Sequence, residues 1–105
     1  MAIQKNSIFK GGAALTASSP GDTLTIRPAD GYEVALHHVD HVGAGKLEIV
    51  DVASGVTVLR DNNSTGNCVH GDSVRLSYDH YAIYTNLSGA AQDVTYEGAY
   101  TIIPA

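Results

Sequence analysis

The chain has 105 residues, of which 44% are hydrophobic and 16% charged, a balance that indicates one folded domain and excludes a disordered segment. The formal net charge is −5 and the six lysines and arginines stand singly, so the sequence lacks the basic patch of a nucleic-acid-binding protein. A single cysteine, Cys68, excludes an internal disulfide, and no apolar stretch reaches the length of a signal-peptide core or a membrane span. We therefore expect synthesis in a reducing cytoplasm, with neither nucleic acid nor membrane as a partner.

Residues 1–19 are small, polar and glycine-bearing, and the apolar side chains Ile3, Ile8 and Phe9 are isolated among them. No helical or strand period is sustained there, so the sequence predicts a flexible N-terminal arm followed by a β domain over 20–105. A frayed chain end is one interpretation of the arm. The other is a segment that orders against a neighbouring subunit, with Ile3, Ile8 and Phe9 as contact residues.

Two strands are predicted before residue 43, at Thr23–Arg27 and at Tyr32–Val42, and proline-glycine turn signals precede each of them. In the longer strand, uninterrupted alternation puts His38 and Asp40 on the same face as Leu36.

A hairpin is predicted next. Lys46–Val52 and Val56–Arg60 flank the loop Ala53-Ser54-Gly55, in which the final glycine suits the left-handed position of a bulged turn.

Three further strands are predicted between Ser73 and the end of the chain, the last two joined by a polar hairpin loop at Ser88-Gly89-Ala90-Ala91. In the final strand, Val94 and alternate residues after it share one face, while Thr95 and Glu97 fall on the other. With seven to eight strands and no helical period, the sequence predicts an all-β protein. We expect a single antiparallel β-sandwich or small barrel of jelly-roll or Greek-key style.

The sharpest polar pattern is His37-His38-Val39-Asp40-His41. His37 and His41 would lie about 13 Å apart on a strand, too far for one metal ion. His38 and Asp40 share a face, and His70 or His80 from another strand would complete a zinc site; we treat His38, Asp40 and His70 as candidate metal ligands. The same clustering suggests a second hypothesis, a pH switch in which several histidines at one interface gain charge below about pH 6.5 and repel each other.

No motif for covalent or phosphoryl chemistry is present. Cys68 and His70 form the one nominal thiol and base pair, without a visible electropositive niche or orienting group. We therefore expect a protein that is not an enzyme and carries no cofactor.

Tyrosine is overused, with six tyrosines against one phenylalanine and no tryptophan. Tyr78, Tyr81 and Tyr84 are candidate contact residues, since such rings favour subunit interfaces. The rival interpretations are a platform on which sugars stack and ordinary half-buried strand positions.

The run N-L-S-G-A-A-Q-D-V-T-Y-E-G-A-Y-T from Asn86 to Thr101 resembles the C-terminal hairpin of small virion proteins of tailed bacteriophages. The upstream order, G-Y-E-V-A-L-H-H-V-D-H-V followed by K-L-E-I-V-D-V-A-S-G-V-T-V-L, is similar to the same proteins, so the likeness spans the last two thirds of the chain. One departure is that the aromatic-rich start of the long strand is reduced to Tyr32 followed by histidines, which puts any inherited contact on that strand in doubt.

The resemblance implies a capsid decoration or cement protein: a non-enzymatic homotrimer on the capsid exterior that bridges neighbouring major capsid proteins and stabilises the head. One alternative is a receptor- or glycan-binding module of a tail or head fibre that uses the tyrosines and the loop 61–67. Another is a small metal-dependent β-barrel enzyme.

Overall fold

The computed structural model describes residues 4–16, 22–63, 66–67 and 73–104, and these residues form nine β-strands and no helix. The predicted all-β fold is confirmed. The strands are β1 (Ile8–Leu15), β2 (Thr23–Ile26), β3 (Glu33–His41), β4 (Gly45–Asp51), β5 (Val56–Asn63), β6 (Gly66–Asn67), β7 (Val74–Ser77), β8 (His80–Asn86) and β9 (Gln92–Ile102).

The strands follow the path β1-β9-β3-β7-β8-β4-β5, with β2 added to β8 and β6 added to β3, and every pairing is antiparallel. β7 and β8 share the single residue pair Ser77 and His80. Strands on both sides of this narrow junction contribute fully buried side chains, so the fold is a sandwich of two layers. The first layer contains β1, β9, β3, β6 and β7, and the second contains β2, β8, β4 and β5.

The core lies between the layers. Val34, Leu36, Leu47, Tyr84 and Val94 have no exposed surface, and they come from both layers. Each such side chain contributes about 1.5–3 kcal/mol relative to an exposed position. The alternation predicted for the last strand is confirmed at its start, where Val94 is buried and the residues on either side of it are exposed.

The N-terminal part of the chain differs from the prediction. Within the predicted arm, Ile8–Leu15 is a strand that pairs over its full length with β9. The strand pattern is hidden because its residues are small: a Cβ atom on Gly11 would overlap the phenol ring of Tyr96, so glycine leaves room for a partner distant in sequence. Phe9 packs against the rings of Tyr96 and Tyr100 at centroid distances of 5.4 and 5.5 Å.

The turn after β8 exists, but the hairpin predicted there is wrong. β8 pairs with β2, β4 and β7, whereas β9 pairs with β1 and β3, so the loop 87–91 crosses from one layer to the other. Gly89 has a φ of 73°, which explains why glycine suits the turn. A local turn signal does not specify which strands will pair.

The predicted alternation through β3 is also wrong after Leu36. The register with β9 shifts between Leu36 and His38, and the extra residue, His37, is exposed. This bulge reverses the phase, so Val39 and His41 are buried while His38 and Asp40 lie on the outer face. The predicted β4–β5 hairpin is confirmed, with Asp51 paired to Val56.

Candidate functional site

The three candidate contact tyrosines lie in different environments. Tyr78 is 41% exposed and Tyr81 is half-buried, but Tyr84 has no exposed surface and packs in the core, 5.2 Å from the ring of His41. Tyr78 lies in the turn between β7 and β8. Tyr84 is therefore a core residue in this fold and not a residue of an exposed contact surface.

Arg27 covers the two remaining tyrosines. Its guanidinium carbon lies 3.8 Å from the ring centroid of Tyr78 and 4.2 Å from that of Tyr81, and its Nε donates a hydrogen bond of 2.7 Å to the Tyr78 carbonyl oxygen. Cation–π contacts of this kind contribute about 0.5–1 kcal/mol each at exposed sites. A sugar-stacking platform needs open ring faces, and Arg27 occupies one face of each ring.

The candidate metal ligands His38 and Asp40 are in contact, with Nδ1 and Oδ2 3.0 Å apart. They lie on the outer face of the first layer, where Glu97 is opposite His38 and Lys10 is opposite Glu97. The described ranges contain no group of three or more His, Cys, Asp or Glu side chains with metal-binding geometry. The third candidate, His70, lies outside the described residues.

The histidines of the His37–His41 run do not share one environment. His37 is exposed on the bulge, His38 is half-buried on the outer face, and His41 is buried with its Nδ1 2.6 Å from the carbonyl oxygen of Gly43. Their clustering in sequence therefore does not become a cluster in space, which weakens the geometric basis of the pH-switch hypothesis.

The candidate contact residues of the N-terminal arm also differ in their exposure. Ile8 is 63% exposed at the start of the edge strand β1, whereas Phe9 points inward and is 9% exposed. Ile3 lies outside the described residues. Of the candidate arm contacts that the structure describes, Ile8 is the one whose apolar side chain is exposed.

A buried polar network joins the two layers beside the loop 87–91. The Asn86 side-chain oxygen accepts hydrogen bonds from the Ser88 backbone N–H at 2.9 Å and from Gln92 Nε2 at 2.7 Å. The Gln92 side-chain oxygen in turn accepts from the N–H groups of Val42 and Gly43. Both amides are almost fully buried, so the network braces the crossing loop against the β3–β4 turn.

Sequence reasoning did not identify the apolar groove beside β5. We call this site, about 490 Å³ in volume, the β5 groove. Val56, Val58 and Leu59 on its β5 side are 50%, 57% and 53% exposed. The uncharged run Val-Thr-Val-Leu is visible in the sequence, and such a run is unusual for an edge strand. The position of β5 at an edge follows only from the strand order of the sheet. The groove is lined by Ile49, Asp51, Ser54, Val56, Val58, Leu59, Arg60, Val74 and His80.

No helix in the described part of the chain has the length and apolar character needed to cross a membrane.

Comparison with known proteins shows a similarity of fold to a solved structure and no similarity of sequence to a known family. No protein-family model and no curated protein matches the sequence. Among solved structures, the chain is similar to the core of the Drosophila protein NLP, a structure described in terms of pentamer formation and histone binding. The TM-score is 0.51 at 17% sequence identity, over 90% of this chain and 97% of that chain. At this identity the similarity shows that the two proteins share a β-sandwich architecture.

Proposed function

We propose that this protein is a non-enzymatic bacteriophage virion protein that decorates an assembled capsid and stabilises it by bridging major capsid proteins. The proposed partner comes from the resemblance of the 31–59 and 86–101 sequence runs to small phage virion proteins. In this proposal the protein is made in the host cytoplasm, assembles as a homotrimer and sits on the capsid exterior. It requires no cofactor.

The observation that carries the proposal is the presence of exposed apolar side chains at both ends of the sheet path. Ile8 projects from the edge strand β1, and Val56, Val58 and Leu59 lie on the edge strand β5. A bridging protein needs two separate contact surfaces, and burying apolar area contributes about 25 cal/mol per Å². Binding to the assembled shell alone would stabilise it by mass action.

The first test is co-sedimentation of the purified protein with expanded phage capsids. We expect wild-type protein to pellet with capsids and not with host cells. The variant Ile8→Asp should bind at least ten-fold more weakly, because it places a carboxylate where the proposed contact is apolar. Val42→Asp is the matched control, since Val42 is 74% exposed and lies beyond the other end of β1.

Two outcomes would contradict the proposal. Binding to cells or glycans without capsid binding would favour the receptor-binding alternative. Equal loss of capsid binding in both variants would show that Ile8 is not a specific contact.

A further inference from the structure

We propose that β5 is a self-association surface, on which β5 of a second copy pairs antiparallel about a two-fold axis at Val58. Capsid bridging as proposed above would use the same strand, so the two contacts compete, and we expect β5 pairing in protein that is not bound to a capsid. The two second layers would become one continuous sheet, and the second strand would cover part of the β5 groove.

The backbone of β5 has an edge that another strand could pair with. β5 ends the sheet path and pairs with β4 alone among the described strands, so the N–H and C=O groups on the outer side of Val56–Leu59 face no strand in the described part of the chain. Edge strands are usually protected from such pairing by proline, lysine or an inward-pointing charge. The sequence Val-Thr-Val-Leu has none of these, and a bulge near Arg60 ends the regular run.

The side chains of β5 favour a second copy of the same strand as the partner. Directly opposed residues of an antiparallel pair share the same hydrogen-bonding orientation, so a two-fold axis must pass through a residue of the regular run. With the axis at Val58, Thr57 is opposite Leu59 of the second copy and Val56 is opposite Arg60 of the second copy.

Charge complementarity favours the Val58 register. Asp51 is the β4 neighbour of Val56, and Asp51, Val56 and Arg60 all line the β5 groove. The Arg60 of each copy would therefore approach the Asp51 of the other, and the symmetry creates this attraction twice. A second copy of the chain thus supplies an apolar strand for the groove and a cation for its acidic rim.

The contact is small, so we expect a concentration-dependent dimer and not an obligate one. Cross-linking detects such a contact directly. In a Cys68→Ser background, the variant Val58→Cys places a thiol opposite its own copy, where strand pairing brings the Cα atoms about 4.5–5.5 Å apart. Under mild oxidation we expect its disulfide dimer to form at least ten-fold faster than that of the control Val42→Cys.

The register has its own test. Thr57→Cys and Leu59→Cys, mixed, should give a heterodimer faster than either gives a homodimer. Adding Arg60→Glu to Val58→Cys should slow cross-linking at least five-fold, and a further Asp51→Lys should restore it. Asp51 also accepts hydrogen bonds from the N–H of Ala53 and the Ser54 hydroxyl, so thermal melting must show that each variant is folded.

Equal cross-linking rates for Val58→Cys and Val42→Cys in folded protein would overturn the β5 pairing. Fast Val58→Cys cross-linking without the Thr57–Leu59 preference would overturn the register. Both experiments measure the rate of cross-linking between two β5 strands and not the mass of the assembly. Their outcome therefore does not depend on capsid co-sedimentation or on a three-fold assembly.

Discussion

Tyr96 shows how one side chain responds to its place in the sandwich. Its ring is half-buried and packs 5.4 Å from Phe9, above a glycine that leaves it room. Burial raises the pKa of the Tyr96 phenol above its ordinary value of 10.0, and the nearby Tyr100 phenol raises that pKa further. The folded state therefore holds the proton more tightly than the unfolded chain does.

The direction of the resulting pH dependence follows from linkage. The contribution of Tyr96 to stability is fully present below about pH 10, where both states are protonated, and it is lost as the pH rises through the folded pKa. We expect the free energy of unfolding of wild-type protein to fall more steeply between pH 9 and pH 11 than that of Tyr96→Phe. Urea denaturation at a series of pH values measures this difference, and parallel curves would contradict it.

At the scale of elements, the loop 87–91 must hold two layers together without strand pairing between β8 and β9. The network of Asn86 and Gln92 performs this function, because it connects the end of β8 to the start of β9 and to the β3–β4 turn. The Asn86 amide also donates to the carbonyl oxygens of Thr16 and Ala90, so the end of β1 is joined to the same point. A local polar cluster thus sets the separation of the layers at this end of the sandwich.

Replacing Asn86 tests that function. Asn86→Ala removes the side-chain acceptor of the Ser88 N–H and one of the two acceptors of Gln92 Nε2, which keeps the Ala44 carbonyl oxygen at 3.2 Å. It also removes the donor to the Ala90 and Thr16 carbonyl oxygens, and a buried polar group left unsatisfied costs about 1–3 kcal/mol. We expect a loss of about 2–4 kcal/mol in the free energy of unfolding, seen as a lower urea midpoint. The exposed Asn62 provides the control, because Asn62→Ala should change the midpoint little. Equal effects of the two substitutions would contradict the bracing function.

For the whole molecule, the prediction concerns assembly. The proposed homotrimer matches the local three-fold symmetry of a capsid lattice. Pairing through β5 would double the mass of such an assembly. The variant Val58→Lys removes that pairing, because it places like charges at the proposed two-fold axis. Light scattering after size exclusion is therefore best performed on this variant. We expect three times the mass of one chain at neutral pH. A monomer at all concentrations would contradict the trimer and raise the binding-module alternative.

The sequence was sufficient for features that depend on neighbouring residues. Alternation identified the start of the last strand, where Val94 is buried between exposed neighbours, because side-chain period is a local property. A glycine-ended loop between two apolar runs identified the β4–β5 hairpin, because turn chemistry is local as well. The same reasoning could not identify β1, whose glycines and alanines acquire a strand conformation through pairing with β9, some 85 residues later in the chain.

Tertiary structure decided the candidate sites for the same reason. The bulge at His37 reversed the faces of His38 and His41. Tyr84 lies in the core, and the strand order leaves β5 at an edge of the sheet. The composition of β5 was visible in the sequence, but its exposure was not. By itself, the sequence determined that this chain is an all-β protein and where most of its strands lie. Long-range pairing decided which strands meet and hence which apolar side chains remain on the surface. The sequence of one strand does not by itself specify the strand with which it pairs.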